Sequence, residues 1–192
     1  FNVSAKRMSM PEIPEKMFLD ACEVICAFCK DVTPKRLGES LYLRPFMIAT
    51  EVGMGIRPSK SFMFVIVASP SGSYFAADSV KVFIERNDIR AAKGGTGFAK
   101  TGGNYAGSLK SYQETLNKGC DQTMWLDETH TYIEEMSGMN FMCVMNGEIH
   151  TPAISDTILD GITRKSILEI AKLDGLKVSE RKITIEELLT KI

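Results

Sequence analysis

Apolar positions at Phe18, Ala21, Cys22, Ile25, Cys26 and Cys29 recur at helical spacing behind Pro14. They predict a helix from Pro14 to about Lys30 with that stripe as its inner face. Residues 40–50, SLYLRPFMIAT, alternate and predict an extended run in which Pro45 marks an edge strand or a bulge. Residues 62–69 predict a fully buried strand, and 80–85 alternate as another. Asn104 can cap a helix running to about Lys118, with Gly119 just past its end. Short strands follow at 122–127, 131–135, 141–145 and 148–151, separated by turn residues. A helix starting at or near Thr163 carries Ile167, Leu168, Ile170 and Ala171 and stops at Gly175, and Thr184 with Glu187 makes a capping box for a last one. Helices interleaved with hairpin-spaced strands predict an α/β (mixed α+β) fold with a mixed sheet, not a doubly wound parallel one.

At 192 residues, 44% hydrophobic and 24% charged, the chain has material for one large domain or two small ones. The stretch 69–79, SPSGSYFAADS, has the composition of a linker between them. A net charge of −1 with scattered Lys and Arg offers no field for a phosphate backbone, which argues against nucleic acid. The longest apolar run, 62–68, is too short for a bilayer, and no charged leader is followed by an apolar core. No membrane role and a cytoplasmic location are expected. Of five cysteines, Cys22, Cys26 and Cys29 share the helical face, which favours packed thiols over a disulfide or metal site; no metal is expected.

One lysine stands in a crowd of glycines: residues 94–103 read GGTGFAKTGG. A phosphate-binding loop of the form GxxxxGK(S/T) would need a second glycine where Ala99 stands. Its helix would also have to start through Gly102 and Gly103, at about 1 kcal/mol each relative to alanine. The other use of such a lysine is covalent, because an amine held in an uncharged form attacks carbonyl groups. Position alone does not choose it, since most lysines are solvated surface charges.

The phrases SLYLRPFMIATEVGMGIRP, ASPSGSYF, GGTGFAKTGGNYAGSL, GCDQTMWLD, YIEEMSGMN and LDGITRKSILEIAK occur in that order. Together they make nearly the whole chain resemble the branched-chain-amino-acid aminotransferases, pyridoxal-phosphate enzymes of fold type IV. The resemblance implies a two-domain fold incomplete at both ends: 1–68 as part of the small N-terminal domain, 69–79 as the interdomain loop, 80–192 as part of the large cofactor-binding domain. It implies amino-group transfer between branched-chain L-amino acids (Leu, Ile, Val) and 2-oxoglutarate, giving 2-oxo acids and glutamate, within branched-chain amino acid biosynthesis. It also implies a homodimer.

Residue by residue, the resemblance makes Lys100 the Schiff-base partner of pyridoxal 5′-phosphate and the group that moves the substrate proton. Tyr105 matches the tyrosine facing the cofactor's phenolic oxygen and the substrate pocket. Glu135 matches the carboxylate that keeps the pyridine nitrogen protonated; on strand pattern alone the pair Glu134–Glu135 would be solvated. Leu159 corresponds to the residue packing on the ring, and Ile162 and Thr163 to the helix start holding the phosphate, Thr163 otherwise reading as a plain N-cap. Tyr42 and Arg44 match the pair lining the substrate pocket, with Arg44 receiving the second carboxylate of glutamate. Met54 and Ile56 match a loop reaching the neighbouring subunit's pocket. The family's phosphate-clamping arginine falls one position before Phe1, and its Gly-Thr turn falls after Ile192. Other fold type IV enzymes (D-amino-acid or amine transaminases, a lyase) and an inactive fragment are the alternatives.

Overall fold

The computed structural model describes residues 1–72 and 79–191. The chain divides into two compact units, Phe1–Asp78 and Ser79–Ile192.

The first unit carries helices α1 (Asn2–Arg7) and α2 (Glu15–Phe28), a 3-10 turn at Lys30–Val32, and strands β1 (Ser40–Ala49) and β2 (Phe62–Ser71). Pro14 is the N-cap of α2, so the helix opens one residue later than its pattern predicts and ends short of Lys30. Phe18, Ala21, Cys22, Ile25 and Cys29 are half-buried, whereas Cys26 is exposed. Positions 18, 22, 25 and 29 make a stripe at i, i+4, i+7 and i+11; Cys26 sits about 40° beyond Cys22, past its margin. All five cysteines are free thiols. Strands β1 and β2 pair antiparallel over their whole length, with Pro45 opposite Ile66 and no break in register. In a two-stranded ribbon each strand is an edge, which is where proline's missing N–H does least harm. The rings of Phe1, Phe18 and Phe64 meet at centroid distances of 5.5–5.8 Å and join α1, α2 and β2. Asn2 ties α1 to the start of α2 by exchanging two hydrogen bonds with the Ile13 backbone, 2.9 and 3.0 Å.

The expected linker at 69–79 is partly strand, because β2 runs to Ser71 and keeps its pairing with Ser40. Its remaining core, 73–78, lies outside the described residues.

The second unit holds β3 (Val82–Ile84), α3 (Gly102–Asn117), β4 (Gln122–Leu126), β5 (Ile133–Met136), β6 (Cys143–Met145), β7 (Glu148–Thr151), α4 (Ile162–Leu173), β8 (Lys177–Glu180) and α5 (Ile185–Lys191). They form two three-stranded mixed sheets, β3-β4-β5 and β6-β7-β8. β3 is parallel and β5 antiparallel to β4, while β6 is antiparallel and β8 parallel to β7. Every residue of β4 is buried, and Met124 and Leu126 pack with Ile133, Met136, Met145, Ile183, Ile185 and Leu188. The mixed sheet follows the expectation from the strand spacing.

Two helix starts differ from the pattern. α3 begins at Gly102, with Thr101 as its cap, because Asn104 turns its side chain back onto the preceding loop. There its Nδ2 donates to the carbonyls of Thr96 (2.8 Å) and Ala99 (2.7 Å). α4 begins at Ile162 with Gly161 as N-cap, so Thr163 lies inside the first turn. Its buried stripe is Arg164, Leu168 and Ala171; Ile167 and Ile170 face outward. At α5, Thr184 Oγ1 accepts from the Glu187 N–H at 3.0 Å, but the Glu187 carboxylate engages Arg181 and Lys191 in place of closing the box.

Candidate active site

The second unit brings an amine, an acid and an open helix start onto neighbouring segments. The acid is Glu135, on the four-residue strand β5, where both Glu134 and Glu135 are buried rather than solvated. A register shift in the β4–β5 ladder falls opposite this strand, between Trp125 and Leu126. Glu135 Oε1 accepts the backbone N–H of Leu159 at 2.5 Å and the Asn140 amide at 3.2 Å. Asn140 Nδ2 also donates to the Leu159 carbonyl at 2.8 Å, and Glu135 and Asn140 form an antiparallel bridge. On its other oxygen Glu135 meets Arg90 Nη2 at 3.3 Å, both side chains under 10% exposed.

Burial pushes the Glu135 carboxyl up from 4.5 to about 7, against the pull of Arg90, the Leu159 N–H and the Lys100 charge. Glu134 is also raised, first by burial, although the Thr157 hydroxyl donates to its Oε1 at 2.5 Å.

The turn held by Glu135 and Asn140 leads directly into α4. Leu159 is half-buried there, and Gly161 packs so close to Asn140 that a side chain at 161 would collide with the amide oxygen. No side chain caps α4, and Ile162 and Thr163 are exposed in its first turn. Helix starts of this kind present N–H groups and the positive end of the dipole to an anion.

Lys100 lies just ahead of α3, exposed, with Nζ 5.7 Å from the centre of the Tyr105 ring. Burial of the kind a covalent lysine calls for is not what the described residues supply. The loop before it is nonetheless fixed: Gly94 N donates to Asp156 Oδ2 (2.6 Å), Phe98 N to the Asp156 carbonyl (3.1 Å) and Ala99 N to the Thr96 carbonyl (2.9 Å).

In the first unit, Arg44 stands over the Tyr42 ring at 5.2 Å, two residues apart on one face of β1. Met54 and Ile56 are fully exposed on the β1–β2 loop. That loop is closed on itself: Arg57 pairs with Glu51 through two hydrogen bonds of 2.7 and 2.9 Å, and Lys60 N donates to Glu51 at 2.6 Å. Of the residues singled out in the sequence, the structure thus groups Lys100 with Tyr105, Glu135 with Leu159, and Tyr42 with Arg44. Arg90 and Asn140, which complete the Glu135 surroundings, and Thr157, which bonds Glu134 and Arg90, carried no pattern in a single sequence. Among the described residues no group of three His, Cys, Asp or Glu is placed to hold a metal, and no helix is long and apolar enough to cross a membrane.

The mixed α/β fold that carries these residues is that of a class IV aminotransferase. The chain belongs to that family: residues 17–191 match amino-transferase class IV, whose members are pyridoxal-phosphate enzymes. It is 45% identical over 190 residues to the branched-chain-amino-acid transaminase 1 of Bacillus subtilis, covering 97% of this chain and 53% of that protein. The solved branched-chain aminotransferase of Escherichia coli superposes with a TM-score of 0.84 at 31% identity, over 97% of this chain and 61% of that one. The T.th. branched-chain aminotransferase complexed with N-(5′-phosphopyridoxyl)-L-glutamate gives 0.81 at 29% identity, over 98% and 60%. The chain spans about half the length of the curated relatives it matches.

Proposed function

We propose that the protein to which this chain belongs transfers amino groups between leucine, isoleucine or valine and 2-oxoglutarate, with pyridoxal 5′-phosphate as cofactor. The observation that carries the reading is the buried Glu135 carboxyl, bonded to the Leu159 turn that opens α4. An interior acid of that kind, poised near neutrality, fits a basic ring nitrogen whose proton it would share. The orphaned atoms nearby fit too: Glu134 Oε2 and Arg90 Nε are buried without a hydrogen-bond partner.

When bound, the cofactor supplies an aldehyde for the amino group and an electron-withdrawing ring for the charge left at the substrate Cα. Lys100 Nζ is the anchoring amine and the base that takes the Cα proton. Glu135 would keep a proton on the ring nitrogen, and Tyr105 would hydrogen-bond the phenolic oxygen. Leu159 would contact the ring, and the N–H groups of Ile162 and Thr163, with the Thr163 hydroxyl, would hold the phosphate. For the substrate, Arg44 takes the second carboxylate when glutamate replaces an aliphatic side chain, with Tyr42 beneath it. Met54 and Ile56, apolar and exposed, are assigned to a subunit contact in a homodimer. Residues 1–68 are assigned to the smaller domain, 69–79 to the connection, and 80–192 to the larger one; the location is cytoplasmic.

The test is a substrate panel with the complete protein. Leucine, isoleucine and valine should each convert 2-oxoglutarate to glutamate, and Lys100→Ala should abolish this. Turnover confined to D-alanine or simple amines, or retained by Lys100→Ala, overturns the reading.

A further inference from the structure

Beyond the residues that would touch the cofactor, one interior charge stands at the junction of the site's two halves. Arg90 lies between β3 and the glycine-rich loop, with only 9% of its side chain exposed. Its Nη2 meets Glu135 Oε2 at 3.3 Å and the Gly97 carbonyl at 3.3 Å, and it donates to the Thr157 carbonyl as well. Gly97 sits so close to that partner segment that an added Cβ would lie 2.6 Å from Ala91 Cβ and 2.7 Å from the Thr157 backbone. Three residues after Gly97 comes Lys100, and Asn104 ties Thr96 and Ala99 into the same turn.

We propose that Arg90 is a positioning residue, whose guanidinium joins the loop carrying Lys100 to the carboxylate of Glu135 and holds amine and acid in one frame. The inference rests on the aminotransferase reading for its purpose, and on the geometry alone for the contacts.

Packing does not account for an arginine here. Its Nε is buried without a partner, a cost that an aliphatic side chain of similar length would not incur. Buried ion pairs are often replaceable by apolar residues without loss of stability, so this one is retained for what it orders. It also sets charge. The groups bearing on Glu135 are Arg90 and Lys100, which favour its ionised form, and Glu134, which opposes it; Asp127 and Asp156 act on Glu134 in turn. Arg90 is the largest of the favourable influences, so without it the acid would keep its proton at neutral pH and could not hold a second one on a ring nitrogen.

The test uses the complete protein and two readouts. In cofactor-free protein, the Glu135 carboxyl is titrated by 13C NMR, with Glu135→Gln to assign its signal. Pyridoxal 5′-phosphate affinity is measured separately by equilibrium dialysis. Arg90→Met should move the Glu135 titration upward by about one pH unit or more and weaken cofactor binding about tenfold at neutral pH. Arg90→Lys should recover most of the titration, because it restores the charge. Arg90→Gln keeps donors for Gly97 and Thr157 while removing the charge, and should shift Glu135 as Arg90→Met does even if the latter folds poorly. An unshifted Glu135 in Arg90→Met or Arg90→Gln overturns the proposal, as does Arg90→Lys behaving no better than Arg90→Met. If the wild-type protein fails to bind the cofactor, the aminotransferase reading falls, while the titration still decides the role of Arg90.

Discussion

Replacing Glu135 by glutamine removes one buried ionisation while keeping shape and most hydrogen bonding, so its effect on stability should depend on pH in a calculable way. The folded carboxyl is raised from 4.5 to about 7, chiefly by burial. Between those two values the folded state binds more protons than the unfolded one, so raising the pH favours unfolding. The stability that the protonated acid contributes is complete below 4.5 and is lost as the pH rises through about 7. From pH 5 to pH 8 the loss comes to about 2.5 kcal/mol in the wild type, and the glutamine variant has no such term. Urea denaturation of the complete, cofactor-free protein at the two pH values measures it, with the comparison between variants cancelling the other titrating groups. The variant should gain about 2.5 kcal/mol on the wild type between pH 5 and pH 8, whatever its offset at pH 5. A gap that stays constant within about 0.5 kcal/mol would show that Glu135 ionises normally and would refute the reasoning.

Other perturbations follow from the same contacts. Asn140→Ala removes the amide that bridges Glu135 and the Leu159 carbonyl; cofactor affinity measured by dialysis should fall about tenfold, since two partly buried hydrogen bonds go. Gly97→Ala drives a methyl into the Thr157 backbone and should destabilise the protein by about 1–3 kcal/mol in urea melts. Leu126→Ala empties a fully buried place in the core of the second unit and should cost about 2–5 kcal/mol by the same measurement.

Periodicity read the fold where packing obeys it. The half-buried face of α2 and every strand of the two mixed sheets except β8 follow from apolar spacing, and β7 falls at the predicted 148–151. It failed where side chains serve the loop instead of the helix: Asn104 looks like a cap, yet it bonds backward to Thr96 and Ala99. Strand β8, Lys177–Glu180, was not anticipated, because KVSE is short and mostly polar and takes its order from parallel pairing with β7. The site was legible only in part. Lys100 stood out among glycines, but Glu135 had the pattern of a solvated strand end, and its burial depends on contacts with residues 90, 140 and 159 that no local signal announces. The roles given to Tyr42, Arg44, Met54, Ile56 and Tyr105 came from the family resemblance.

The central claim is that Lys100 is the amine that anchors the cofactor beside Glu135. It is tested most directly by incubating the complete protein with pyridoxal 5′-phosphate, reducing with borohydride and mapping the modified peptide by mass spectrometry. One phosphopyridoxyl group per chain, on Lys100 and absent from Lys100→Ala, is the predicted result. Saturable labelling of another lysine, with Lys100 unmodified, would contradict it.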